Sequence, residues 1–247
     1  MPDMYLSPST QEYNVYYDGN GNEEYYMNLI ANAMEPYLVA SGISFTRNSP
    51  EGTVGDSVRQ SNAGSYGLHL ALHSNASGTA NYGKQQGSDV YYYTTSTKGK
   101  AAAELFVKNL KEIYPDPAKV RALPTTTLYE LRYTRAPSIL VEIAYHDNAA
   151  DAEWIKANIQ SIARNLSMSV AEWFGVPFRD PQPTRGAIVR TQGGRLNVRA
   201  QPSTQSEVLG QLANGTRITV TGQDGNWYLI QYNGLEGFVY GQYIELM

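Results

Sequence analysis

Residues 138–148 read SILVEIAYHDN, and residues 67–76 read GLHLALHSNA. Each begins as an apolar run of strand length and ends in small polar residues, a pattern typical of a strand buried on both faces. Two segments, Glu23–Ala40 and Asp151–Phe174, instead repeat apolar side chains at helical spacing. This alternation predicts an α/β unit with a mixed, mostly parallel sheet flanked by helices. In such a sheet, the residues that bind ligands or catalyse reactions lie beyond the strand ends.

Shorter segments complete this first unit. We predict strands at Met4–Leu6, Ile43–Thr46, Tyr66–Leu72, Ser88–Tyr93 and Ser138–Tyr145, and a further helix at Ala101–Ile113.

The periodic pattern of apolar residues stops at residues 176–186, VPFRDPQPTRG, where three prolines lie among polar residues. Such a composition is typical of a linker. The predicted organisation is therefore a first domain at residues 1–177, a linker at 178–186 and a second domain at 187–247. The second domain holds short apolar runs separated by Asn-Gly and Asp-Gly pairs, which supply the backbone angles of tight hairpins. These runs predict a small all-β barrel; they are Leu196–Arg199, Glu207–Leu212, Arg217–Thr221, Trp227–Gln231 and Glu236–Val239.

Composition limits the chemistry of the chain. The formal net charge of −4 argues against a broad nucleic-acid or anionic-membrane surface. Cysteine is absent, so a metal ion would need His, Asp or Glu ligands. No apolar run has membrane-spanning length and no signal peptide is visible, so we expect no membrane insertion and the sequence shows no export route. The excess of Tyr, 20 against 5 Phe, suits either surfaces that bind sugars and peptides or the packing of edge strands.

The three histidines lie at or near the apolar strands. His73 follows the first strand quoted above, and Glu142 and His146 project on one side of the second, because side chains repeat every second position. A carboxylate within SILVEIAY is costly without a partner, which makes Glu142 a candidate functional residue beside a metal ion or a bound water.

His69 and His73 have the i, i+4 spacing of a helical zinc pair. Their segment is short and flanked by glycine and serine, which favours a strand. On a strand the two residues would lie ~13 Å apart, too far to share one ion. We therefore expect a structural role for His69.

Three motifs, NEEYYMNLIA, ALHSNA and LVEIAYHDN, resemble in this order those of the zinc-dependent N-acetylmuramoyl-L-alanine amidases, over about the first 175 residues. The resemblance implies that Glu23 and His73 bind Zn2+ and that Glu142 is the catalytic acid/base. Glu23 fits better than its neighbour Glu24, because only Glu23 brings the following apolar residues into the family's positions. Asn75, in the same motif as His73, is predicted to contact the substrate.

One departure from the family concerns its first zinc ligand, a histidine in a glycine-rich turn after the first strand. Here that stretch reads LSPSTQ, with Ser9 or Thr10 in place of histidine. We expect His146 to replace it, which gives a metal set of Glu23, His73 and His146. Two histidines and one glutamate with an open position form a known catalytic arrangement.

Residues 186–247 resemble the bacterial Src-homology-like barrels through LNVRAQP, NGT, NWYLI and GFVYGQYI, in that order. Such barrels commonly bind cell-wall peptides. The resemblance implies a groove formed by Trp227, Tyr228 and Tyr240, together with Phe238. About half of these aromatic residues are instead expected in the barrel core, which side chains must fill.

Together these features predict a peptidoglycan hydrolase of the cell wall or extracellular space, which cleaves the amide between N-acetylmuramic acid and L-alanine. Two alternatives remain open: a zinc-dependent wall peptidase, and a non-catalytic wall-binding protein with a degenerate metal site. The sequence also leaves open the oligomeric state, and whether the chain is a phage-type lysin or a host autolysin.

Overall fold

The computed structural model describes residues 2–181 and 184–247. The chain divides into two compact units, one comprising Pro2–Glu35 and Ser44–Val176 and the other comprising Pro36–Ile43 and Pro177–Met247. None of the helices in these ranges combines the length and apolar character needed to cross a membrane.

The N-terminal part of the chain alternates strands and helices, as the sequence predicts. Its elements are β1 (Asp3–Pro8), α1 (Glu23–Ala40), β2 (Ser44–Arg47), α2 (Val54–Ala63), β3 (Leu68–Asn75), β4 (Ser88–Tyr93), α3 (Thr97–Leu110), β5 (Val120–Thr125), α4 (Tyr129–Tyr133), β6 (Ser138–Tyr145), α5 (Ala149–Ala157) and α6 (Ile159–Phe174).

The strands form one six-stranded sheet in the order β2-β1-β3-β6-β4-β5. Neighbours are parallel except for β6 and β4, which are antiparallel. The sheet is therefore mixed and mostly parallel, which confirms the predicted fold class. Its central strands β3 and β6 bury apolar side chains such as Leu70 and Val141 completely, because helices cover both faces of such a sheet.

The helix predicted at Asp151–Phe174 is in fact two helices, α5 and α6, separated at Asn158. Asn158 has φ −120° and ψ 20°, outside the helical region, and its side chain donates to the carbonyl of Trp154. The apolar periodicity continues across the break because both helices bury apolar residues, including Ile155 and Ile162. Helices α2 and α4 and strand β5 were not predicted.

The C-terminal part is all β, with strands β7 (Arg185–Val189), β8 (Leu196–Arg199), β9 (Val208–Leu212), β10 (Arg217–Asp224), β11 (Trp227–Tyr232), β12 (Leu235–Tyr240) and β13 (Ile244–Leu246). They form an antiparallel sheet in the order β13-β7-β10-β11-β12-β8-β9 around one apolar core. The first and last strands were not predicted, and β7 begins within the predicted linker. Gln182 and Pro183 of that linker lie outside the described residues.

Of the predicted Asn-Gly turns, Asn233-Gly234 forms a tight hairpin, whereas Asn214-Gly215 joins β9 and β10, which are not neighbours in the sheet. Between β11 and β12, Tyr232 pairs with Leu235, so only Asn233 and Gly234 form the loop. Their φ angles are 48° and 78°. Positive φ at both central residues is the geometry that Asn-Gly tolerates and that matches the twist of the flanking strands.

Candidate active site

His73 lies in β3 near its C-terminal end, with 12% of its side chain exposed. Its Nδ1 atom lies 2.8 Å from Glu23 Oε1, and its Nε2 atom lies 3.6 Å from Glu130 Oε2. Burial alone would lower the pKa of the imidazole, but hydrogen bonding to Glu130 and Glu23 raises that pKa well above its ordinary value. The imidazole is thus held on both sides by carboxyl groups.

Glu23 is the first residue of α1 and is almost fully buried. The helix N-terminus favours a negative charge, and Asn14 Nδ2 donates to Glu23 Oε2 at 2.6 Å. Burial would raise the pKa of this carboxyl, but His73 and Asn14 lower it below its ordinary value. The structure therefore turns Glu23 toward His73, whereas Glu24 forms its side-chain contact with Asn28.

Glu142 lies in β6, in register with His73 on the adjacent parallel strand. Neighbouring strands are about 4.8 Å apart, so the two side chains lie next to each other. The Oε2 atom of Glu142 is buried and has no hydrogen-bond partner. Burial raises the pKa of this carboxyl to about 7, while the charge of His73 opposes the shift and those of Glu23 and Asp89 add to it. The carboxyl can therefore accept and release a proton near neutral pH.

Glu130, in the short helix α4, joins this cluster although the sequence analysis missed it. Its Oε1 atom lies 2.9 Å from His69 Nε2 and also accepts from the Ser7 hydroxyl. Burial would raise the pKa of Glu130, but hydrogen bonds from His69 and His73 hold it well below its ordinary value. The signal available in the sequence was an acidic residue between apolar Leu128 and Leu131.

His69 is fully buried, as expected for a structural residue. Its Nδ1 atom lies 2.9 Å from Ser61 Oγ, and its ring stacks on Tyr5 with centroids 5.2 Å apart. The residue thereby holds Oε1 of Glu130, while His73 lies beside the other oxygen, Oε2.

Gln11 is a second residue that the sequence analysis missed. It lies in the turn after β1, and its Nε2 atom is 3.2 Å from His73 Nδ1. Its Oε1 atom accepts hydrogen bonds from Tyr13 and Asn14. The sequence signal was the polar stretch LSPSTQ, in which only Ser9 and Thr10 were considered as replacements for a ligand.

His146 does not join Glu23 and His73, contrary to the expectation from the sequence. Its Nδ1 atom lies 2.8 Å from the carbonyl oxygen of Ser74 and 3.1 Å from the Ser74 hydroxyl, and its ring stacks on Tyr16. The physical reason is that β6 ends at Tyr145, so the side-chain alternation of a strand no longer applies at the next residue. Over residues 2–181 and 184–247, no three His, Cys, Asp or Glu side chains form a group that could hold a metal ion.

Glu23 and His73 nevertheless fit a zinc ion in chemistry, because carboxylate and imidazole are both common zinc donors. Their donor atoms face each other at 2.8 Å. Two further carboxyl groups, those of Glu130 and Glu142, lie around the same imidazole, and one oxygen of Glu142 has no partner. A buried oxygen without a partner is typical of a site that holds a water or an ion.

A cleft of about 450 Å³ opens beside this cluster. Its lining includes His73, Glu130 and Gln11, with Tyr13 and Tyr129 among the more exposed residues. Asn75, predicted to contact substrate, does not line this cleft, and its side chain accepts a hydrogen bond from the backbone of Ala76.

The C-terminal unit carries a separate groove of about 490 Å³. Trp227 and Tyr240 line it with ring centroids 5.2 Å apart, beside Arg195 and Arg199. Tyr228 does not line this groove. It packs partly against the core of the unit and, with Tyr240, borders a smaller cavity. Phe238 is buried.

Comparison with known families agrees with both units. The family model described as N-acetylmuramoyl-L-alanine amidase matches residues 12–172, and the model described as bacterial SH3 domain matches residues 194–245. Among curated proteins, the N-acetylmuramoyl-L-alanine amidase LytC of Bacillus subtilis (strain 168) is 31% identical over 144 residues, which are 56% of this chain. The matched region covers only 28% of the length of LytC.

Solved structures share the fold of the first unit. The catalytic domain of CwlV, an N-acetylmuramoyl-L-alanine amidase from Bacillus (Paenibacillus) polymyxa var. colistinus, is similar with a TM-score of 0.62 and 17% identity, over 72% of this chain and 100% of that one. Cwp6 from Clostridium difficile is similar with a TM-score of 0.59 and 24% identity, over 70% of this chain and 29% of that one.

Proposed function

The chain belongs to the N-acetylmuramoyl-L-alanine amidase family, and we propose on that premise that it hydrolyses the amide bond between N-acetylmuramic acid and the L-alanine of the stem peptide. The observation that carries this proposal is the buried carboxyl of Glu142 beside His73. One of its oxygens has no hydrogen-bond partner, and burial raises its pKa to about 7. A general acid/base is most efficient when its pKa is near the working pH.

Zinc is the proposed cofactor, and Glu23 and His73 are the residues proposed to hold it. When bound, the ion supplies Lewis-acid polarisation of the scissile carbonyl and of water. The hydrogen bond from Asn14 to Glu23 fixes one of these two side chains, and Glu130 borders the other.

Glu142 is the proposed catalytic acid/base. Its carboxylate takes a proton from the water that attacks the amide carbonyl, and its acid form then returns that proton to the nitrogen of L-alanine as the C–N bond breaks. Burial of the carboxyl supports this role, since it destabilises the charged form and brings both protonation states within reach at neutral pH.

The cleft beside His73 is the proposed site for the scissile bond. Its exposed tyrosines, Tyr13 and Tyr129, offer apolar ring faces with polar edges, which suit sugars and peptides. The groove of Trp227 and Tyr240 is the proposed wall-binding site of the second unit, and its two arginines suit the carboxylates of stem peptides. The proposed place of action is therefore the cell wall.

Digestion of purified, insoluble peptidoglycan tests the proposal, with products identified by mass spectrometry. The zinc-loaded protein is expected to release stem peptides with a free L-alanine amino group and to leave peptide-free glycan strands. Glu142→Gln is expected to slow this release by about 100-fold or more, whereas Glu104→Gln, an exposed carboxyl in α3, leaves it unchanged.

Other outcomes of the same digestion separate the alternatives. Cleavage between amino acids of the stem peptide would replace the amidase assignment by a peptidase. Binding to the wall without any released product, at saturating zinc, would leave only the wall-binding function.

A further inference from the structure

Two side chains converge on the same ring nitrogen of His73. Glu23 Oε1 lies 2.8 Å from the Nδ1 atom, and Gln11 Nε2 lies 3.2 Å from it. Both distances are in the range of hydrogen bonds, so each contact needs a donor and an acceptor.

No tautomer of His73 satisfies both contacts. A carboxylate oxygen accepts hydrogen bonds and an amide nitrogen donates them. If Nδ1 carries a hydrogen, it bonds to Glu23 and opposes the N–H groups of Gln11. If Nδ1 is an acceptor, it bonds to Gln11 and opposes the lone pairs of Glu23. The three side chains therefore form a hydrogen-bonding conflict at one buried point.

Reversing the amide of Gln11 removes the conflict when a cation is present. The oxygen and nitrogen of an amide are close in size, and their placement follows from the surrounding hydrogen bonds. After reversal, Oε1 of Gln11 faces the same point as Glu23 Oε1 and His73 Nδ1, so that three lone-pair donors can bind one cation. The Tyr13 hydroxyl, which now donates to Oε1 at 2.9 Å, can accept from the amide nitrogen instead. Asn14 keeps its bond to Glu23 but loses the bond that its Nδ2 atom donates to Gln11 Oε1 at 3.1 Å, so the reversal exchanges this weaker bond for a lone pair beside His73.

The backbone presents Gln11 at this point. Its N–H donates to the Ser9 hydroxyl at 3.1 Å in the turn that follows β1, and Ser9 itself is buried and bonded to the carbonyl of Leu72 in β3. The amidase family match begins at residue 12, so this turn lies just outside it. We propose that Gln11 Oε1 is the third protein ligand of the zinc ion held by Glu23 and His73, an inference that rests on the proposed function.

Zinc affinity tests this assignment without reference to activity. The full chain is stripped of metal, and the zinc dissociation constant is measured by competition with a chromophoric chelator. Gln11→Met, which keeps side-chain length but has no amide oxygen, is expected to weaken binding by about 10-fold or more. Gln11→His is expected to tighten it, because imidazole is a stronger zinc donor than an amide oxygen. Gln85→Ala, at an exposed glutamine elsewhere in the same unit, is the matched control and leaves the constant unchanged.

The outcomes distinguish this inference from the proposed function beneath it. Wild-type protein that binds zinc with an affinity unaffected by Gln11→Met, in variants with unchanged circular dichroism, refutes the role of Gln11 alone. Wild-type protein that binds no zinc overturns the metal centre and this inference together. Weaker binding in Gln11→Met with tighter binding in Gln11→His supports the assignment.

Discussion

Replacing Glu142 by glutamine is expected to stabilise the metal-free protein, and only at high pH. Glutamine is nearly isosteric with glutamate but does not ionise. The pKa of Glu142 is about 7 in the folded protein against an ordinary value of 4.5. Because this folded-state pKa is raised, the folded protein holds the proton more tightly than the unfolded chain does.

The sign and size of the effect follow from that difference. Below pH 4.5 the carboxyl is protonated in both the folded and the unfolded state, so it does not lower the free energy of unfolding. Between pH 4.5 and 7 the unfolded chain ionises first, so the free energy of unfolding falls as the pH rises. Above pH 7 the loss is complete. One pKa unit is worth about 1.36 kcal/mol, so the upper bound on the loss is about 3 kcal/mol.

Urea denaturation at pH 5, 6, 7 and 8, in the presence of a chelator, measures this difference. Circular dichroism at the helix band reports mainly on the first unit, because every α-helix among the described residues lies in it except the last turn of α1, from Pro36 to Ala40. Glu142→Gln and wild type should be close in stability at pH 5, and the variant should be more stable by up to about 3 kcal/mol at pH 8. Glu104→Gln should show no such trend. A stability difference that does not change with pH, or a Glu142→Gln variant that is less stable than wild type at pH 8, would refute the account of this buried carboxyl.

Three further predictions concern the metal and the wall. Glu130→Gln should weaken zinc binding by about 10- to 100-fold, because a carboxylate beside the second nitrogen of a metal-bound imidazole orients the ring and raises its basicity; competition with a chelator measures this, and an unchanged constant would rule out such a positioning role. Zinc at 100 times its dissociation constant should stabilise the folded protein by about 2.7 kcal/mol and raise the Tm of the helical unit by roughly 5–10 °C. His73→Ala should abolish this increase in Tm, and an increase that remains in the variant would place the ion elsewhere. Trp227→Ala should reduce retention on insoluble peptidoglycan by about 5-fold or more in a pull-down, while Tyr82→Ala, at an exposed tyrosine of the first unit, should not; equal retention would remove the groove from the wall-binding site.

The sequence was sufficient where a local pattern carried the information. Apolar runs located β3 and β6, and the cost of burying an unpaired carboxylate singled out Glu142, whose oxygen does lack a partner. The resemblance to the amidase family distinguished Glu23 from Glu24, because only Glu23 brings the following apolar residues of α1 into the family's positions. Only Glu23 is buried and faces His73.

The sequence was insufficient where proximity depends on elements that are distant along the chain. Glu130 reaches His69 and His73 from a five-residue helix that has too few residues to show a period. Gln11 reaches His73 only because the turn after β1 is fixed by side-chain and backbone hydrogen bonds. Extending strand alternation to His146 was wrong, since β6 has already ended there and Ser74 binds the ring.

An anomalous-difference map at the zinc absorption edge, from crystals grown at saturating zinc, would locate the ion. We expect one strong peak between Glu23 and His73, next to the carboxyl of Glu142. A map without a peak at this position, or with the ion bound at His146 instead, would contradict the proposed metal centre.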